Sequence, residues 1–331
     1  MKKFLKKLII IIISIIGGTL AFLIFAWGVL FLAKYPIYWD YYEIKSNVCE
    51  NPGLGDGFIC QGICAYEAGG KILVSGYMKD DSASRIYVTD TSDNSYYVSL
   101  NKANGEAFTG HAGGIAVYGN TVYIASGEKV HLVSLTDLMK AENGSAINIQ
   151  GSIGVNNSAS FIYADDNYIY VGEFHDGGKY VTEHPFYDPD SGLNYAIASR
   201  YPVEEFILRD DGGGDEHIAT PDRIYSIPNK VQGICFTPDG KIVMSTSYGL
   251  SDSVYYIYDE SKATDSGRTI DGAPVYLLGK CESEFTGPAM AEGLDHYNGK
   301  VITLTESASD KYIFGKFFFA NKIVALDISE K

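Results

Sequence analysis

Cysteine is scarce in this chain, with five residues in 331, and no two of them are spaced as a CxxC pair. That excludes a disulfide-built scaffold and the usual zinc-binding spacing. At most, Cys49 would bridge to Cys60 or Cys281, while Cys64 and Cys235 read as small buried hydrophobes. Also missing are a GxSxG elbow, a Walker loop, a dinucleotide fingerprint and an HExxH pair. Nucleophilic serine hydrolysis, nucleotide binding and zincin proteolysis therefore lose their usual signatures. Basic charge is thin as well. Five of the 26 Lys and Arg precede Tyr35 and none of the 41 acidic residues does, which leaves 21 basic against 41 acidic side chains beyond it. A surface with that excess repels nucleic acid, so none is expected as a partner. Solubility alone also accounts for such a balance.

The last absence is local, because no charge occurs from Leu8 to Ala33. As a helix, that stretch would extend about 39 Å, enough to cross a bilayer. Lys2, Lys3, Lys6 and Lys7 precede it and predict a cytoplasmic N-terminus, with everything after Lys34 extracytoplasmic. A cleavable signal peptide has a shorter apolar core of about 7–15 residues, which favours a retained single-pass anchor. Trp27, Tyr35, Tyr38 and Trp39 stand where an interfacial aromatic belt would lie. Residues 1–34 are thus expected to be a basic tip and transmembrane anchor, 35–55 a linker and closing segment, and 56–331 the folded domain.

What the chain has in quantity is tyrosine, 26 residues of it, crowded with Val, Ile and Thr into short runs between Gly, Asn and Asp turns. That is strand chemistry. One phrase recurs: Gln61-Gly62-Ile63-Cys64-Ala65-Tyr66 followed by Lys71-Ile72-Leu73-Val74-Ser75 returns as Gln232-Gly233-Ile234-Cys235-Phe236 followed by Lys241-Ile242-Val243-Met244-Ser245. Looser copies begin at His111, Ser160 and Glu292. A repeated hairpin unit means stacking of small sheets. Laid out as blades, the copies predict an all-β propeller of five blades, or six if residues 176–230 conceal a degenerate unit. The second copy would end in a strand over 147–149 and the fourth in one over 275–278. The fifth lacks an outer strand, and Asp40–Ile44 is expected to close the ring from the N-terminal side.

On QGICFTPDGKIVMSTSYG and AEGLDHYNGKVITL, the region beyond about residue 55 resembles the secreted propellers that include gluconolactonase and senescence-marker lactonases, NHL-type and quinoprotein-like proteins. The resemblance implies a fold, and function must be argued from a site.

In a propeller, inner-strand starts and second-strand ends converge at one mouth of the central channel. Here those positions offer Gln61, His111, Ser160, Gln232 and Glu292 from the inner strands. The second strands offer Tyr77, Ser126, Glu173 with His175, Ser247 with Tyr248, and Glu306 with Ser307. A polar ring of this kind is the convergent set of a binding site. The expected ligand-binding residues are Gln61, His111, Glu173, His175, Gln232, Tyr248, Glu292 and Glu306. Residues 176–194 would form a lid over them. Glu173, Glu292 and His111 could hold a divalent cation, calcium or zinc, which would polarise a carbonyl or acidify water. Structural roles compete: His111 as a tie between blades, the glutamates as acceptors of backbone bonds, and the glutamines as channel lining. Asp188-Pro189-Asp190-Ser191-Gly192 reads as a turn rather than a calcium loop, and Asp210–Glu216 as a flexible acidic loop.

Three functions remain open: ligand binding at the mouth, for a small-molecule or cell-envelope ligand; a metal-dependent hydrolase of the lactonase type; and a platform for protein interaction.

Overall fold

The computed structural model describes residues 2–208, 217–318 and 320–331. The acidic stretch Asp210–Glu216 lies outside the described residues. Five mainly antiparallel sheets are arranged radially, each led by an inner strand: Phe58–Tyr66, Gly114–Tyr118, Phe161–Ala164, Val231–Phe236 and Ala291–Tyr297. These are blades 1 to 5, and no sixth unit occurs among the described residues. Residues 186–194 form a small separate hairpin, and 196–202 and 223–227 are the third and fourth strands of blade 3.

The channel is narrow because the inner strands nearly touch. A Cβ on Gly62 would lie 2.6 Å from the Gly114 Cα, and one on Gly114 would lie 2.5 Å from the Ile162 amide nitrogen. The Gly-Ile of the repeated phrase is therefore a packing requirement, with glycine admitting the neighbouring backbone. The residue after each close approach fills the axis. Ile63, Ile115, Ile162, Ile234 and Leu294 are all at most 5% exposed and divide the channel into two ends. Between blades, separate apolar clusters form where the flat faces of adjacent sheets meet.

Ring closure uses the N-terminal side, but the strand begins five residues later than the sequence suggests. Lys45–Glu50 pairs antiparallel with Lys322–Leu326 as the outer strand of blade 5, whereas Trp39–Ile44 is a short helix packed beside blade 4. Tyr41 supplies the reason: its ring is buried and stacks 6.2 Å from Tyr255, an anchor that a strand edge would not offer. Two other assignments move. Ala146–Asn148 adds to the edge of blade 1, and Gly151–Gly154 completes blade 2. Ala273–Leu277 joins blade 3 in parallel, leaving Ser283–Gly287 to complete blade 4. In each case a segment with good strand character pairs across to a neighbouring blade, a choice that local propensity does not encode.

All five cysteines are free, and the four other than Cys281 are buried. Asp188 makes the expected turn: its carboxylate accepts from the Asp190 amide at 2.9 Å and from the Gly279 amide at 2.9 Å. Among the described residues, one helix, Lys3–Lys34, is long and apolar enough to cross a membrane.

Candidate functional site

The mouth is built by irregularities in the inner strands. Register shifts fall between Cys60 and Gly62, between Val231 and Gly233, and between Ala291 and Leu294. A bulge leaves its extra residue out of the ladder and re-aims its side chain. That extra residue is Gln61 in blade 1 and Gln232 in blade 4, and Glu292 lies within the shift of blade 5. The three residues share a position outside the regular ladder.

The structure brings together a tighter group than the expected ring. The Gln61 amide donates to the Glu306 carboxylate at 2.9 Å. Glu292 is 2% exposed. Burial, then the Glu306 charge, pushes its carboxyl well above the ordinary range. Glu306 itself is partly exposed in total area, but its carboxyl end is enclosed, and burial lifts it to about 7 despite hydrogen bonds from Tyr312 and Gln61 and the nearby Lys311. Two interacting carboxyls of this kind lose their protons as a pair, one of them late.

Above them lies the loop from Glu306 to Asn321. The Lys311 ammonium donates to the Tyr77 hydroxyl and sits 4.7 Å from its ring centre. Tyr77 stacks on His111 with ring centres 4.5 Å apart. Burial and the Lys311 and Lys179 charges lower the His111 imidazole to about 4, so it is neutral near pH 7. Lys179 belongs to the loop that follows the second strand of blade 3, and its ammonium lies over the Tyr180 ring at 4.9 Å. Tyr180 and Tyr248 flank Phe174, with ring centres at 5.5 and 6.0 Å.

Other expected members are tied elsewhere. The Glu173 carboxylate accepts from the amides of Ile197 at 3.2 Å and Ser158 at 3.4 Å, and pairs with His184 at 2.9 Å. The hydrogen bond to Glu173 raises the His184 pKa. Phe174 continues from Glu173 toward Tyr180 and Tyr248 at the mouth, while Glu173 turns toward the seam of blades 2 and 3. His175 Nδ1 is 3.0 Å from the Thr182 hydroxyl, and its ring stacks on Tyr195 at 4.9 Å. Gln232 donates to Ser247 at 3.3 Å. Tyr248 is 45% exposed at the rim.

Among the described residues no three His, Cys, Asp or Glu side chains gather as a metal site. The expected cation site of Glu173, Glu292 and His111 is therefore corrected: Glu173 is committed to backbone amides and His184, and His111 is stacked on Tyr77. Sequence reasoning missed Lys311 and Tyr312, which lie in a long loop far from any repeat copy, and His184, whose partner is set by the folding of the insert.

No protein-family profile matches the chain, and no curated protein matches it. Among solved structures it is similar to the hydrazine synthase of Kuenenia stuttgartiensis, with 11% identity, a TM-score of 0.38, and 75% of this chain and 55% of that chain covered. The chain thus spans little more than half of that protein's length. It is similar also to the glutaminyl cyclase of Myxococcus xanthus, with 9% identity, a TM-score of 0.44, and 85% and 95% covered. A third is the PQQ-bound aldose sugar dehydrogenase of Streptomyces coelicolor, with 14% identity, a TM-score of 0.41, and 79% and 77% covered. These likenesses concern the fold, and the chain is a five-bladed β-propeller.

Proposed function

We propose that the protein is a membrane-anchored, extracytoplasmic propeller that binds a small polar or cell-envelope ligand at the channel mouth. The observation that carries this reading is the buried carboxyl pair Glu292 and Glu306, joined to Gln61 and roofed by Lys311 and Tyr312. Burying two interacting carboxyls is costly, and a fold that needed only a filled channel would place apolar groups there, as it does one layer deeper. A protonated carboxyl beside an ionised one offers a ligand both a donor and an acceptor. Tyr77, Tyr312 and Gln61 add hydroxyl and amide groups suited to a hydroxyl-bearing molecule. The uncharged stretch Leu8–Ala33 after four lysines supports the anchor and its orientation.

The same pair supports a second reading, an enzyme. A carboxyl that holds its proton near pH 7 is suited to general acid catalysis, with its ionised neighbour as base. No metal is required in that chemistry.

Thermal-shift measurements on the full chain in detergent, against a panel of sugars, polyols, sugar lactones and amines, test the binding reading. A stabilising compound whose effect disappears in Glu306→Gln and Gln61→Leu, and survives in the exposed control Asp80→Asn, is the expected result. Shifts indifferent to Glu306 would remove the mouth from consideration. Turnover of such a compound, lost in Glu306→Gln, would select the enzyme.

A further inference from the structure

The mouth is also the face on which the N-terminal helix ends. The Lys34 ammonium and the Tyr38 hydroxyl both lie 2.5 Å from Asp252, in the mouth-side loop between the second and third strands of blade 4. The helix packs further back against Gly315–Phe318, in the mouth-side loop of blade 5. Within its apolar stretch, the helix is exposed except at Ala26, Trp27 and Gly28, which are half-buried. Trp27 precedes Lys34 by about 10 Å along the helix axis. The propeller therefore touches the helix well inside the uncharged stretch.

The loop that makes this contact is unlike the rest of the acidic ectodomain. Its sequence from 312 to 318 is Tyr-Ile-Phe-Gly-Lys-Phe-Phe, and Ile313 and Phe314 at its tip are 74% and 69% exposed. Gly315 pins the turn, since a Cβ there would collide with the Ser307 backbone. Lys316 is neutralised by Asp310 at 2.5 Å, as Lys34 is by Asp252. On the same face Val181 and Leu250 are 65% and 50% exposed at the tips of two other loops. Apolar tips beside neutralised charges, continuous with an apolar helix, match the boundary between headgroups and acyl chains.

We propose that the 311–318 turn docks into the bilayer surface beside the anchor, with the channel mouth facing the membrane. This rests on the reading of residues 8–33 as a membrane span. Because Lys311 and Tyr312 of the same turn contact Tyr77 and Glu306, docking holds the roof of the site at the membrane. Ligands borne on the membrane surface would then reach the mouth first.

The test uses the full chain carrying Cys281→Ser, reconstituted into vesicles of phosphatidylcholine and phosphatidylglycerol. Single spin labels are placed by Ile313→Cys, Phe314→Cys, Ile16→Cys in the helix, or Tyr118→Cys on the opposite face, all at exposed positions. The remaining native cysteines are buried. Collision with oxygen exceeding collision with a water-soluble nickel chelate at 313, 314 and 16, and the reverse at 118, is the expected outcome. Labels at 313 and 314 that favour the nickel chelate, with 16 still lipid-embedded, overturn the docking and leave the anchor intact. Water exposure at 16 as well overturns both. Labels at 313 and 314 immobilised and shielded from both reagents would mean a protein contact, and would also overturn the proposal.

Discussion

The two ends of the channel place similar chemistry in opposite hands. Each holds a carboxyl that burial lifts to about 7, Glu306 at the mouth and Asp295 at the far end. Asp295 accepts from the backbone amides of Ala65 at 2.6 Å and His296 at 2.8 Å, beside an open cavity of about 470 Å³. Those partners are fixed by the strands. Glu306 has side-chain partners from the inner strand of blade 1 and from its own loop, and a second carboxyl for a neighbour. The lesson is that burial alone does not mark a functional carboxyl. Asp295 ties blade 5 to blade 1, whereas Glu306 and Glu292 leave hydrogen-bonding capacity that the backbone does not use.

The separation of the two ends is the first thing to break. Gly114→Val would drive side-chain atoms into the Ile162 backbone across the layer that divides the channel. It should destabilise the propeller by more than about 3 kcal/mol, read as loss of the cooperative thermal transition. An unchanged transition would mean that the inner strands are not so closely packed. Next, Asp295→Ala strands two backbone amides and should cost about 2–4 kcal/mol. Glu306→Gln keeps a neutral polar group where the folded carboxyl holds its proton, and should change stability by no more than about 1 kcal/mol at pH 5. Equal losses in the two variants would erase the distinction drawn between them.

The pH dependence is a subtler probe. Glu306 moves from an ordinary 4.5 to about 7, and Asp295 from 3.8 to about 7. The folded chain therefore holds more protons than the unfolded one between those limits. Stability from these groups is complete below the ordinary carboxylate range and is lost as pH rises through 7. Each contributes a slope of at most about 1.4 kcal/mol per pH unit. Chemical unfolding at pH 5 and 7.5 should show a smaller loss in Glu306→Gln than in the wild type. The smallest effect belongs to Lys311→Met, which removes one of the charges that depress His111. The imidazole should titrate slightly above its value of about 4 by NMR, still held down by burial, the leading cause. No upward movement would place Lys311 away from the mouth.

Much of the ring was legible because the same close approach imposes Gly-Ile in three blades and Gly293-Leu294 in blade 5, with Phe161-Ile162 the exception. Blade count, the bulged Gln61 and Gln232, and the position of Glu292 follow from it. The cross-blade pairings of 146–148 and 273–277 were not legible, since a strand-forming segment does not carry the identity of its partner edge. Nor was it legible which side chains meet at the mouth. Glu173 and Phe174 differ by one residue, and a shift of one in a strand exchanges the faces that the two side chains take.

The sequence by itself determined the uncharged helix, the repeated hairpins and the glycines that keep the channel narrow, because those depend on local hydropathy and on the absence of a Cβ. Tertiary structure alone decided that Glu306, Tyr312, Lys311, Tyr77 and His111 meet, that Glu173 does not join them, and that the N-terminal helix ends at the mouth. Those outcomes turn on how long loops fold back across blades, and the contacts that settle them join residues up to 245 positions apart.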